Sequence, residues 1–351
     1  MKGELINMCK HQLTIIVPAF NAEKFIERCL DSLVEQEGDY EVIVVNDGSS
    51  DNTKKILEKY SCMNPLIKVI NQDNAGVSVA RNAALNIISG RYFTFVDADD
   101  WLEKDFLKEV NPYLVDNYDV ILFGRYFNIE DKEWAWNPLY ENIKELTDKD
   151  LVEIVSNTCG HCDEHLKQDT DLFGWNGCKI YRTDLLGQTR FVRNVKFGED
   201  TLFALEMLLK IKKMICIPSK FYHYYIHNES VTHKKNEVIC EQVIEMMKKL
   251  DDLVPTELLQ EERIVQAIYQ RTIYKLMFCI DLGIFRGLRD RSFGNNVKLL
   301  SNMLEHQYFR EALDKINLSP FRTQNKLKIW LLKNKMCQIY ILLLMMKSVK
   351  Q

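Results

Sequence analysis

The sequence predicts an α/β fold, a doubly wound and mostly parallel sheet followed by a helical appendage. Three observations carry this reading. Through residues 12–100, apolar β-branched runs alternate with segments of helical spacing, the pattern of parallel strands wound with helices. Each run ends in a polar loop, and in an open α/β sheet the loops at the carboxyl ends of the strands share one ligand-binding edge. From about residue 237 the strand-like runs stop and apolar residues recur at three-and-four spacing.

The elements follow in order. Leu13 to Val17 is a continuous apolar strand stopped by Pro18, and Phe25, Ile26, Cys29, Leu30 and Leu33 then repeat as the face of a helix. Glu41 to Asn46 is the second strand; Asp47-Gly48-Ser49-Ser50-Asp51 turns the chain into a helix ending near Tyr60. Ile67 to Ile70 is the third, followed by Asp73-Asn74-Ala75-Gly76 and a helix from about Val77 to Ile88. The fourth strand, Arg91 to Val96, delivers Asp97, Asp99 and Asp100 within four positions. Such acids cannot extend a buried strand, because each needs water, a cation or donors. Carboxylates one residue apart suit a hard cation that also holds a diphosphate, while the plainer reading is a solvated turn capping a helix that starts near Trp101. A helix then runs to about Leu114, and Asp119 to Tyr126 is a further strand. Trp134 and Trp136 beyond it suggest a hairpin or lid, either meeting a sugar face or forming one packed side of a strand.

Composition narrows the classes. With 351 residues, 46% hydrophobic and 27% charged, the chain has the make-up of a globular protein with one large core plus an appendage, or two domains. A formal charge of -4 gives no global attraction to nucleic acid, so no nucleic-acid partner is expected. Residues 1–12 hold no apolar leader core, and no apolar run reaches membrane-spanning length, so a cytoplasmic location is expected. The ten cysteines are scattered and read as buried thiols. Cys159-Gly160-His161-Cys162 has the spacing of a redox pair, but the preceding Asn157 and Thr158 are the wrong context for one.

Neither G-x-G-x-x-G nor G-x-x-x-x-G-K-[ST] occurs at these turns, so a diphosphate here must be met by metal and basic side chains. The strings Ile16-Val17-Pro18-Ala19-Phe20-Asn21, Val45 to Asp51, Asn74-Ala75-Gly76 with Arg81-Asn82, and Val96-Asp97-Ala98-Asp99-Asp100 resemble, in order, the motifs of family 2 glycosyltransferases of the bacterial cell-surface polysaccharide type. The resemblance implies the GT-A fold, a nucleotide-sugar donor, most simply a UDP-sugar, and a divalent cation, Mn2+ or Mg2+. It implies that Pro18, Phe20, Asn21 and Asp47 frame the base and that Asn74 and Arg81 lie near base and phosphates. Asp97 and Ala98 then serve the donor, and Asp99 the metal. Chemically, Asp47 can accept from a uracil-type N–H and Arg81 can pair with phosphate.

Two later segments resemble the acceptor half of the same family. Phe173 to Arg182 contains Trp175, Asn176 and Lys179, and Lys196 to Phe203 puts Glu199 and Asp200 at the mouth of an apolar helix. A helix N-terminus keeps acids ionised, which suits a general base. The resemblance makes Asp200 that base, with Glu199 orienting a sugar, and implies inversion at the anomeric carbon. Tyr222 to His233 resembles the family's aromatic segment ending in Ser-x-Thr. His227 stands where many relatives carry Arg, so His227 and Ser230 are expected at the donor phosphates, or else on one strand with its aromatic face buried.

The expected organisation is a catalytic domain over residues 1–236, with a nucleotide-sugar half near 12–100 and an acceptor half near 101–236, and helices over 237–351. The activity expected is hexosyl or N-acetylhexosaminyl transfer to a glycan or polyprenyl-linked hydroxyl. A nucleotidyltransferase or a non-catalytic nucleotide-sugar-binding protein are the alternatives. The tail from about Lys326 to Lys347 mixes basic residues with Trp330 and a short apolar run, and is expected to lie on the inner face of the cytoplasmic membrane or to pack on the appendage.

Overall fold

In the computed structural model, residues 9–135, 138–160, 170–227, 236 and 238–349 are described. The chain divides into two compact units. One runs to Ile154 and includes Leu172–Asn194 and Glu199–Ile226; the other comprises Val155–Asp171, Val195–Gly198 and the residues from His227.

The first unit is built on one ten-stranded sheet. Its first part is β1 (His11–Ala19), α1 (Ile26–Val34), β2 (Tyr40–Asp47), α2 (Thr53–Met63), β3 (Ile67–Gln72), α3 (Val77–Leu85) and β4 (Gly90–Phe95). These four strands lie in the order β3-β2-β1-β4, all parallel. Every residue of β2 is buried, which is why it reads as a run rather than an alternation. α1 covers the sheet with Ile26, Cys29, Leu30 and Leu33, one face of a 3.6-residue period. Because the chain winds outward from β1 to β3 and then returns to β1's other side with β4, the carboxyl ends of β1 and β4 flank a topological switch point.

The second part adds β5 (Trp101–Leu102), α4 (Phe106–Val115), β6 (Val120–Ile129), β7 (Lys132–Trp134), β8 (Lys144–Thr147), α5 (Leu151–Cys159), β9 (Lys179–Arg182), α6 (Glu199–Leu208) and β10 (Lys213–Tyr225). From β4 the sheet continues β9-β6-β10-β5, with β7 on β6 and β8 on β10. β9 runs antiparallel between β4 and β6, while β6 and β10 are parallel. Tyr222 to Tyr225 therefore closes a strand, and its aromatic residues line the sheet.

Two local expectations are corrected. No helix starts near Trp101; Trp101 and Leu102 pair antiparallel with His223 and Tyr222, and α4 begins at Phe106. The indole stacks on the His223 ring at 4.7 Å, and this tertiary contact outweighs the capping propensity of the acids before it. Pro18 does not stop β1, which runs on to Ala19. The Ile16 carbonyl accepts from Val96 N–H, so by strand alternation the Pro18 nitrogen also faces the β4 side, where β4 has already ended at Phe95. The hairpin reading of the tryptophan segment holds in part: β7 pairs with β6, and Trp134 stacks on Phe127 at 5.7 Å. Trp136 lies outside the described residues.

The second unit contains α7 (Ile239–Leu253), α8 (Glu262–Gly283), α9 (Phe293–Glu305), α10 (Gln307–Lys315), α11 (Thr323–Lys333) and α12 (Cys337–Val349). This unit also takes in α5 from Val155 onward, and within it Arg271 of α8 is buried and donates to the carbonyls of Thr158, Cys159 and Gly160, satisfying the last turn of α5. Cys159 thus sits at a helix C-terminus, fully enclosed, and burial pushes its thiol up to about 12. A reactive thiolate needs the opposite surroundings. The partners of that string, His161 and Cys162, lie outside the described residues. Among the described residues no helix is long and apolar enough to cross a membrane.

At the amino ends of the strands Glu41 is buried and gathers four donors. It accepts from Thr14 Oγ1 of β1 at 2.7 Å, from Ser89 N at 2.7 Å and Oγ at 2.8 Å, and from Lys68 of β3. Burial alone would raise its pKa, but the Lys68 ammonium and the Thr14 and Ser89 bonds bring it down to about 2. Above the ordinary value of 4.5 folded and unfolded chains both hold the carboxylate ionised, and the stabilisation is complete. Below it the unfolded chain takes the proton first, and the stabilisation is lost as pH falls through about 2. Glu41→Gln should therefore cost about 3 kcal/mol at neutral pH in urea unfolding. The difference from wild type should shrink as the pH drops below that ordinary carboxyl range.

Candidate active site

The turn after β4 sorts its three acids by what they touch. Asp100 is buried, accepting from the Tyr222 hydroxyl at 2.6 Å and from Tyr225 N–H at 2.8 Å. Burial, reinforced by Asp99 and Asp97 close by, raises its pKa well above the usual range. Tyr222 in turn accepts from Asp97 N–H at 3.1 Å, so β10 holds both ends of the turn. The Asp99 carbonyl accepts from Arg28 at 2.8 Å; that guanidinium lies 3.8 Å over the Trp101 ring and 4.4 Å from the Tyr225 ring. Ala98 is buried, whereas Asp97 and Asp99 keep part of their surface exposed.

Arg81 on α3 is the hub. Only 5% of its side chain is exposed, beneath the rings of Phe191 and Phe95. Its Nη2 meets Asp97 at 2.9 Å, and its Nη1 meets Asp200 at 2.6 Å and Glu199 at 3.4 Å. Burial opposes its charge, but Asp200, Asp97 and Glu199 outweigh that and keep it protonated. One cation does not neutralise three carboxylates. Asp200 accordingly has its pKa raised, first by burial and then by Asp97, with Arg81 and the Asn176 amide pulling the other way. Asp200 does stand at the mouth of α6 as expected, and burial there raises its pKa.

The acceptor-side residues stand behind Asp200. Asn176 is buried; its amide donates to the Asp200 carboxylate at 3.3 Å and carbonyl at 3.2 Å, while its oxygen accepts from the Tyr181 hydroxyl. Trp175 packs edge-on against Tyr222 at 4.8 Å and under the Arg125 guanidinium at 4.5 Å. A Cβ on Gly177 would sit 2.5 Å from that indole, so only glycine lets the loop close over it. Lys179, expected to face an acceptor, is fully enclosed and donates to the carbonyls of Leu172 and Trp175. Burial lowers its pKa to about 7, and its influence runs through the loop it shapes.

On the nucleotide edge Pro18 is buried and Phe20, 52% exposed, projects from the end of β1. Asn21 has φ 49° and accepts from Ser50 N–H at 2.8 Å, locking the first loop to the second. Asp47 is buried and accepts from Ala75 N–H at 2.9 Å, Gly76 N–H at 2.8 Å and the Gln72 amide at 2.7 Å, so it shapes the loop bearing exposed Asn74. Gly48 has φ 70°, and a Cβ there would meet Asn74 N at 2.5 Å. His227 falls in the second compact unit, and Ser230 lies outside the described residues.

The structure thus joins Arg81, Asp97, Asn176, Glu199 and Asp200 by direct bonds, and Phe20, Asn21, Asp47 and Asn74 by their interlocked loops. Arg28, Asp100, Arg125, Tyr181 and Tyr222 were given no site role by the sequence reading, although Asp100, Tyr181 and Tyr222 lie inside strings that it singled out. Among the described residues no three His, Cys, Asp or Glu side chains form a metal cage. The donors present do fit a Mg2+-type ion, which takes one or two carboxylates and completes its shell with water and phosphate oxygens.

Comparison with known proteins agrees with this architecture. Residues 14–189 match the family described as glycosyl transferase family 2. The chain belongs to that family. It is 32% identical over 245 residues to the glycosyltransferase GlyA of Streptococcus pneumoniae serotype 4, covering 68% of this chain and 34% of that protein. It is 26% identical over 257 residues to the poly(ribitol-phosphate) beta-N-acetylglucosaminyltransferase TarS of Staphylococcus aureus, covering 72% of this chain and 41% of that one. The chain therefore spans well under half the length of these relatives. The structure of residues 1–349 of S. aureus TarS in complex with UDP-GlcNAc superposes with a TM-score of 0.65 at 21% identity, over 97% of this chain and 92% of that one, and shares its fold.

Removing Arg81 should leave three buried or half-buried carboxylates unneutralised. Arg81→Met is expected to lose about 3 kcal/mol at neutral pH. Its folded state would then bind protons more readily than the unfolded chain, so the deficit should narrow as pH falls towards 5; chemical denaturation at several pH values measures both.

Proposed function

We propose that this chain transfers a sugar from a nucleotide-diphosphate donor, of the UDP-sugar class, to a hydroxyl of a glycan or polyprenyl-linked acceptor. The observation that carries the reading is the Arg81 clamp, which binds Asp97, at the donor-facing end of β4, to Asp200, at the mouth of α6. Support for the UDP class comes from the relatives. TarS is described with UDP-GlcNAc and as forming beta-linked N-acetylglucosamine, while a related Bacillus protein is named a poly(ribitol-phosphate) beta-glucosyltransferase.

In this mechanism the acceptor oxygen attacks the anomeric carbon from the face opposite the diphosphate, giving inversion, and its proton passes to Asp200. Burial makes Asp200 a stronger base than an exposed carboxylate, and Arg81 tempers that effect. Asn176 fixes the carboxylate's direction, and Glu199 stands beside it to orient a sugar hydroxyl. Phe20 offers a stacking face for the base, and Asn74 a polar group beside it. A Mg2+ or Mn2+ ion held by Asp99 and phosphate oxygens would offset charge on the departing diphosphate.

UDP release from UDP-sugars, with Mn2+ or Mg2+ and a hydroxyl acceptor, tests the assignment. Asp200→Asn should lower kcat by about a thousandfold while UDP binding persists. Turnover should fall on the acid side at a pH above the ordinary carboxylate range, because Asp200 must be deprotonated and its pKa is raised. Asp97→Asn should move that acid limb downward, since Asp97 is one of the groups raising it. Undiminished transfer by Asp200→Asn, or pyrophosphate rather than UDP as the product, would overturn the reading.

A further inference from the structure

Exposed apolar surface is concentrated at one place in the helical unit. Among the described residues, seven of the sixteen large apolar side chains most open to solvent lie between Leu327 and Met346, on α11 and α12. On α12, Ile339, Leu342, Leu343 and Met346 recur at three-and-four spacing along the open side, while Cys337, Tyr340 and Ile341 are buried on the other. On α11, Leu327 and Trp330, one turn apart, are 55% and 49% exposed, while Ile329, Leu331 and Leu332 face inward. These helices therefore already fill their share of the core, and their outer stripes are surplus to it. Scattered exposed leucines need no explanation, but a clustered stripe does.

Charge identifies what the stripe suits. The chain as a whole has a formal charge of -4, yet residues 322–351 contain seven Lys or Arg and no Asp or Glu. Lys328, Lys333 and Lys347 are exposed beside the apolar stripes, and Lys326 is half-exposed. We infer that the outer faces of α11 and α12 form a docking surface for an anionic phospholipid membrane, with the apolar side chains entering the interface and the lysines meeting the headgroups. Such a surface combines area burial with attraction to negative lipid, and the two add. A second copy of the chain is the poorer occupant: Lys335 is paired with Glu305 at 2.6 Å, but joining two such faces would still set Lys326, Lys328, Lys333 and Lys347 against their counterparts. This inference does not rest on the transferase reading.

Co-sedimentation of the full chain with phosphatidylcholine vesicles, with and without phosphatidylglycerol, tests it. Binding should appear with the anionic vesicles and weaken by about tenfold in high salt, where headgroup attraction is screened. Leu342→Gln with Met346→Gln, and separately Lys326→Gln with Lys328→Gln and Lys333→Gln, should each weaken binding by about tenfold or more. All five positions are wholly or partly open to solvent, so thermal melting should stay unchanged. Absence of binding to anionic vesicles overturns the proposal, as does equal binding by wild type and both variants. Light scattering that shows a dimer, abolished by Leu342→Gln with Met346→Gln, would also overturn it by assigning the face to a second copy.

Discussion

One guanidinium sits among three carboxylates, and the candidate site depends on the imbalance. Asp97 and the Glu199-Asp200 pair come from stretches about a hundred positions apart and would repel one another if brought together alone. Arg81 brings them together under the rings of Phe95 and Phe191, where a low local polarity strengthens each attraction. Charge remains unbalanced, and that is chemically useful. A carboxylate fully matched by an arginine is a weak base, whereas one that shares its arginine with two competitors keeps more affinity for a proton. Asn176, itself held by Tyr181, then fixes the direction in which that affinity points.

The turn that supplies Asp97 is held just as firmly. Tyr222 accepts from the Asp97 backbone and donates to Asp100, while Arg28 grips the Asp99 carbonyl from the far side. The three acids of one short string thereby divide their tasks: Asp100 is an anchor, and Asp97 and Asp99 remain partly open to solvent. At the other end of the sheet Glu41 ties β1, β3 and the segment entering β4 in one network. Buried charge is thus found at both ends of the central strands, with hydrocarbon between.

Much of this was legible in the sequence because the strands are buried on both faces and so write themselves as unbroken apolar runs. Convergence of the polar loops followed from parallel winding alone. Trp101 misled because its strand pairing comes from β10, over a hundred residues later, and no local pattern reports a partner at that distance. Lys179 was equally opaque: a lysine in a polar loop and a lysine buried against two carbonyls read alike in one dimension. A single boundary at 236 also could not express a chain that passes between its compact units several times. Nor could spacing divide the acid triple, since Asp100 is set apart by burial and by the Tyr222 and Tyr225 bonds of a distant strand.

Pro18 acts as a ruler for the whole edge. Its nitrogen cannot donate, and it lies on the side of β1 that β4 occupies up to the Ile16–Phe95 pair and then vacates. A slip of two residues between these strands would keep every side chain on its proper face, so hydrophobic pattern alone does not forbid it. It would, however, set Pro18 against a β4 carbonyl with no hydrogen to offer, and would carry the acids roughly 7 Å along the sheet, away from Arg81. The absence of one N–H therefore disfavours that slip, so a proline near the end of a strand helps keep the register in which Asp97 meets its guanidinium.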